Sequence, residues 1–215
     1  MTTNPEDFLQ DAMRRKIEEV ALKVFHEKGI RGVTMDEIAH LLTMSKRTLY
    51  QIFTDKEELL MACVKFDHKK EKDYFDRVAT STSNVLEQIL MIFEQRLNKL
   101  SQINPNFFLD AEKYPKLRSY FKQEEAENEE KTADFFNKGI RQGVFREGIN
   151  WHIAYKALAS LVDLTFKTYI YGNSNPRDII YSTVLVYLRG MTTIKGNQQM
   201  DDFFNRHKML DQQDS

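Results

Sequence analysis

Between Thr34 and Phe53 two helix starts stand so close together that the chain has little freedom in what it builds there. Thr34-Met35-Asp36-Glu37 has the pattern of a capping box, in which the Thr34 hydroxyl takes the amide of Glu37 and the Glu37 carboxylate reaches back. Ile38, Ala39 and Leu42 follow at the spacing of one helical face. Ser45 is a second cap residue, and Lys46-Arg47-Thr48-Leu49-Tyr50-Gln51-Ile52-Phe53 runs on from it. Only Thr43 and Met44 lie between the first helix and Ser45. Two short helices joined by so tight a turn form a helix-turn-helix unit.

The flanking sequence reads as helix almost throughout. Asn4-Pro5-Glu6-Asp7 combines a cap residue, a proline suited to the first helical position and acids for the first turn. Ile17, Val20, Ala21, Val24 and Phe25 then make one apolar face, and Gly29 is its stop. A fourth helix starts at Thr54-Asp55-Lys56-Glu57-Glu58 and is expected to reach about Val78, with residues 79–83 as a loop. Asn84 and Glu87 open the next helix, and Asn104-Pro105 breaks it. A short helix carries Phe107 and Phe108 as far as Tyr114-Pro115. A long one follows, with an acidic run from Glu124 to Glu130, and ends at Gly139 and Gly143. Asn150 caps a helix with Trp151, Tyr155, Leu158, Val162 and Phe166 on one face. Asn175-Pro176 starts the last long helix, where Ile180, Val184, Tyr187, Leu188 and Met191 are spaced to pack. The polar tail after Gly196 is expected to fray. The fold class is therefore all-α, a small N-terminal three-helix unit followed by a larger helical bundle.

Composition narrows the function classes. Eight Gly and four Pro leave little for a turn-rich β architecture. Cys63 stands alone, so no internal disulfide is possible, which suits a reducing compartment. No basic stretch followed by an apolar run opens the chain, and no stretch approaches the ~18 apolar residues of a membrane span; a cytoplasmic location and no membrane partner are expected. His26, His40, His68, His152 and His207 never pair at i, i+4 with another His or with Cys, so neither a metal nor another cofactor is expected. The phosphate-loop, dinucleotide, serine-hydrolase and zinc-protease patterns do not occur, and an enzyme is not expected. Net charge is −1, and residues 1–60 hold nine Lys and Arg against eleven Asp and Glu. A polyanionic partner then requires positive charge focused on one surface.

The stretch Val24-Phe25-His26-Glu27-Lys28-Gly29, Val33-Thr34-Met35-Asp36-Glu37-Ile38-Ala39 and Ser45 through Leu59 resembles the DNA-binding domain of the tetracycline-repressor (TetR) family of transcriptional regulators. Thr48-Leu49-Tyr50, then Phe53, then Lys56-Glu57-Glu58-Leu59 are its specific parts. Gly139 through Arg146 is similar to the link before the family's last two helices. The chain departs from the family at the turn, where Thr43-Met44 replaces the usual Gly and aliphatic residue. It departs again at Arg47, where Gly or Pro is common, and at Ile52, where an aromatic residue or His is.

The resemblance implies a DNA-binding domain over residues 1–55 and a ligand-binding and dimerisation domain over 56–215. It implies a homodimer that represses transcription from double-stranded operator DNA and responds to a small-molecule effector. The alternative is a helix-turn-helix protein controlled by a protein partner. In this motif the third helix enters the major groove, so Lys46, Arg47, Thr48 and Gln51 are candidates for base readout. The resemblance assigns Thr34, Ser45, Tyr50 and Lys56 to phosphates, and helix N-termini favour anions there. From Thr43 to Lys56 there are three cations and one anion, Asp55, which is expected to be used as a cap. Arg14, Arg15 and Lys16 are further backbone-contact candidates. The same caps and cations read equally as helix starts and solvated surface. Leu49 and Phe53 belong to the core, against Phe25, Ile38 and Ala39. Ligand-lining candidates are Phe93, Phe108 and Tyr114, with Asp163 as a polar anchor, beside the plainer assignment of each to core or interface. The dimer interface is expected on the last two long helices, about Asn150–Tyr171 and Pro176–Met191, with Leu158 and Val184 in it.

Overall fold

Local capping sets where most of the helices begin. In the computed structural model the described residues are 5–171 and 175–207, with the backbone alone for 5–7, 125–131, 163, 166–171, 176 and 177. Helix α1 spans Pro5–Lys28, α2 Met35–Leu41, α3 Lys46–Ile52 and α4 Lys56–Ser81. Thr34 Oγ1 accepts from the amide of Glu37 at 3.2 Å, Ser45 Oγ from Thr48 at 3.1 Å and Asp55 Oδ1 from Glu58 at 2.8 Å. The capping box at Thr34 is only half made, because the Glu37 carboxylate turns to Lys28 Nζ, 2.5 Å away. Helix α4 runs past Val78 into the Ala-Thr-Ser run expected as loop. There the hydroxyls of Thr80 and Ser81 bond back to the carbonyls of Arg77 and Val78, both at 2.9 Å, so these residues stay in the helix.

Helices α5 (Val85–Leu100), α6 (Pro105–Ala111), α7 (Pro115–Arg141) and α8 (Trp151–Tyr171) follow. The last expected long helix is α9 (Pro176–Ile180), one π-helical turn (Tyr181–Leu185) and α10 (Val186–Met191). The fraying expected after Gly196 does not hold for the described part of the tail, which ends at His207. Helix α11 spans Ile194–Arg206, capped by the Thr193 hydroxyl on the amide of Gly196 at 3.1 Å, and buries Met200, Phe203 and Phe204. Gly196 opens this helix because a Cβ there would stand 2.4 Å from the carbonyl oxygen of Val144.

The chain forms two compact units, and each is made of two chain segments. The first comprises Met1–Tyr74 and Gln102–Phe121. Its core joins Ile17, Ala21 and Phe25 of α1 to Ile38, Leu49, Phe53 and Leu60, and Ile103, Phe107 and Leu117 complete it. Cys63 is buried there, and its thiol, pushed up by burial, donates to the Glu18 carbonyl at 3.4 Å. The second unit comprises Phe75–Ser101 and Lys122–Ser215. In it α11 is tied to α5 through Asn84 and Gln199 at 3.0 Å and through Arg206 and Glu87 at 3.5 Å. Phe136 stacks on Trp151 with ring centres 4.1 Å apart, and Phe145 packs beside both.

Candidate nucleic-acid interface

Helix α3 is two turns long, and its two faces differ sharply. Leu49 and Phe53 are fully buried against Phe25, Ile38 and Ala39, as their spacing requires. Lys46, Arg47, Tyr50 and Gln51 occupy the opposite face and are exposed. Among the described residues, Arg47, Tyr50 and Gln51 make no side-chain hydrogen bond or ion pair, so their polar groups are available to a partner. Thr48 is half-buried, and its hydroxyl lies 2.8 Å from that of Ser45, which places it at the edge of this face.

The remaining candidates are engaged within the protein. Lys46 Nζ pairs with Asp36 Oδ2 on α2. Lys56 Nζ donates to the carbonyl of Val33 and is half-buried. Burial holds the Lys56 ammonium below its ordinary pKa, and the carboxylates of Asp110 and Glu37 oppose that shift. Thr34 and Ser45 are exposed and serve as the caps of α2 and α3. Arg14 is drawn inward. Its guanidinium lies 4.4 Å from the centre of the Phe53 ring, pairs with Glu18 at 3.3 Å and reaches the Ile52 carbonyl at 3.5 Å. It therefore braces the C-terminal end of α3, while Arg15 and Lys16 remain exposed. Neither the Asp36 partner of Lys46 nor this bracing role is written in local sequence, since each pair joins residues on different helices.

A second set of contacts holds the loop between α1 and α2. Asp110 on α6 accepts the amide of Arg31 at 2.7 Å and Lys113 Nζ at 3.0 Å. Burial alone would raise the Asp110 carboxyl, but the Arg31 amide and Lys113 ammonium outweigh it and hold it below the ordinary carboxylate value. Asn104 donates to the His26 carbonyl at 2.7 Å through its amide and to the Glu27 carbonyl at 3.1 Å through its side chain.

The ligand candidates divide between the units. Phe108 and Tyr114 are half-buried against the core of the first, and burial raises the Tyr114 hydroxyl, helped by Asp110 and Glu57. Phe93 is half-buried on α5 of the second. Asp163 falls within α8, and its side chain lies outside the described residues. A groove of about 770 Å³ opens along α1 and α4, with Met61, Ala62 and Phe66 among charged residues; Arg14 and Arg15 line it, and none of the ligand candidates does. A cleft of about 100 Å³ lies between α5 and α11. Among the described residues no group of three or more His, Cys, Asp or Glu is placed to hold a metal, and no helix is long and apolar enough to cross a membrane.

Residues 17–63 match the sequence model of the bacterial regulatory proteins of the tetR family. The chain is 22% identical over 195 residues to the HTH-type transcriptional repressor KstR2 of Mycobacterium tuberculosis, an alignment covering 86% of this chain and 96% of that one. An HTH-type transcriptional regulator of Staphylococcus aureus is 39% identical over 54 residues, 25% of this chain and 29% of that protein. Among solved structures, a TetR-family transcriptional regulator from Cytophaga hutchinsonii superposes with a TM-score of 0.68 at 17% identity, over 86% of this chain and 96% of that one.

Proposed function

We propose that the chain is a tetR-family regulator, a homodimeric, ligand-responsive repressor of transcription, a reading supported by the family match over residues 17–63 and by the likeness to KstR2. In this proposal α2 and α3 carry the contacts to double-stranded operator DNA. The observation that carries the reading is the exposed face of α3, where Arg47, Tyr50 and Gln51 have unused polar groups while Leu49 and Phe53 anchor the opposite side. Arg47 donates to guanine O6 and N7 and Gln51 pairs with adenine, the usual partners of these side chains in a major groove. Thr34, Ser45, Tyr50 and Lys56 meet phosphates, and Lys46 and Thr48 stand at the edge of the reading face. Functionally, residues 1–55 form the DNA-binding domain and 56–215 the ligand-binding and dimerisation domain.

Dimerisation is assigned to α8 and the α9–α10 helix. Ile153, Leu164 and Val186 are large apolar side chains exposed to 67%, 51% and 62% on these helices. The effector is a small, largely apolar or planar molecule, in keeping with the many aromatic residues of the 56–215 segment. It acts by binding the DNA-incompetent state more tightly than the competent one.

The test is selection of genomic fragments by the purified protein, followed by titration of the best site with wild type and Arg47→Ala. The expected site is two-fold symmetric, with half-site centres ~34–36 Å apart or somewhat more. Arg47→Ala should lose ~1–3 kcal/mol and relax one base position in each half. Weak, unsymmetric binding that is equal for both proteins would refute the assignment.

A further inference from the structure

The ion pair between Lys46 and Asp36 joins the first residue of α3 to the first turn of α2, beside the exposed face that carries Arg47, Tyr50 and Gln51. Both partners are well exposed, at 64% and 55% of their side chains. Of the three cations between Thr43 and Lys56, one is thus matched by a carboxylate, and Lys56 is turned to a backbone carbonyl. Arg47 alone remains without a partner among the described residues. For a surface proposed to meet a polyanion, this is a low free charge.

We propose that Asp36 is a built-in counter-ion that competes with DNA phosphate for Lys46 and thereby restrains binding that ignores sequence. This rests on the DNA-binding assignment above and adds a specificity-determining residue to it. Exposed ion pairs contribute only about 0–1 kcal/mol, so a phosphate displaces Asp36 readily. The freed carboxylate then stays beside the interface as an unpaired anion, and within ~8 Å of a phosphate at physiological salt its repulsion is not screened away. Binding that ignores sequence is almost wholly electrostatic, whereas operator binding adds contacts to base edges. The restraint therefore falls hardest on random DNA and widens the margin between operator and random sequence.

The experiment titrates full-length wild type, Asp36→Asn, Lys46→Gln and the double variant against the selected operator duplex and a random duplex at several salt concentrations. Asp36→Asn should bind the random duplex about 3- to 10-fold tighter, gain the operator less, and steepen the salt slope by about 1. In the Lys46→Gln background the gain should shrink, because Asp36 then has no Lys46 to withhold from phosphate and only its repulsion is relieved. Asp36→Ser, which keeps a short polar side chain in the first turn of α2, should repeat the gain if the lost charge is its cause. An Asp36→Asn protein that melts like wild type but binds both duplexes as wild type does, or less tightly, would overturn the proposal. So would an equal gain with and without Lys46. A wild-type protein that binds neither duplex at low salt would remove the DNA assignment and this inference with it.

Discussion

Thr43 occupies a left-handed backbone position, φ +53°, at the end of α2. Its amide bonds the His40 carbonyl and that of Met44 the Ala39 carbonyl, both at 3.0 Å, which is the double closure of a Schellman motif. Helix α7 ends by the same pair of bonds, Gly143 to Ile140 at 2.8 Å and Val144 to Gly139 at 3.0 Å, but there the left-handed residue is Gly143. A β-branched residue in this conformation is strained by roughly 1–2 kcal/mol where glycine is not. Thr43→Gly should stabilise the protein by about 1 kcal/mol, after the greater entropy of the unfolded glycine chain is set against the relief. A melting temperature higher by about 2–4 °C is the expected reading, and a lower one would mean that Thr43 is not strained. At this scale the site is only partly legible from sequence. Ser45, Thr34 and Asp55 announce themselves as caps because a cap needs only its next three residues. The engagement of Lys46 by Asp36 and of Arg14 by Phe53 depends on how helices cross, and no local pattern encodes it.

Helix α6 shows what element-level pattern can and cannot convey. Asn104-Pro105 marks its start plainly, but nothing in its seven residues says that it closes the core holding the helix-turn-helix, with Phe107 edge-on to His26 at 4.7 Å. Helix α11 was hidden for a related reason. Met200, Phe203 and Phe204 do keep helical spacing, yet they are sparse among polar residues, and Gly196 resembles a stop until its close approach to Val144 is known. The contacts of α6 also set a pH dependence. Asp110 is held below its ordinary pKa, so its stabilisation is present above the unfolded value and is lost as pH falls through the lower folded one. Asp110→Ala should cost ~1–3 kcal/mol at pH 7 by leaving the Arg31 amide unpaired. In urea titrations between pH 7 and pH 3, the gap between wild type and variant should narrow toward the acid end. A gap independent of pH would show that the carboxylate charge contributes nothing.

For the whole molecule, the residues facing out of the second unit matter most to assembly. Val184, expected at the interface, is only 1% exposed within its own protomer, because the packing face of α9–α10 turns inward there. A charge at Val184 would disturb folding rather than pairing. The proposed dimer is better tested by Leu164→Asp and Val186→Asp. Each should give a helical monomer by light scattering, with operator affinity reduced roughly 10²-fold or more as two linked half-site contacts become separate events. A variant that remained dimeric would place the interface elsewhere. The order of helices along the chain was readable from caps and apolar spacing, but their grouping was not, since Gln102–Phe121 joins the first unit from beyond α5. That discontinuity reaches back to protein synthesis. At ~5–20 residues per second, a ribosome that has added Tyr74 needs about 2–10 s more to add Phe121. Throughout that interval the nascent helix-turn-helix lacks Ile103, Phe107 and Leu117, and the loop after α1 lacks the Asp110 carboxylate that holds it. A newborn chain is thus kept from a finished reading head until more than half of its length has been translated.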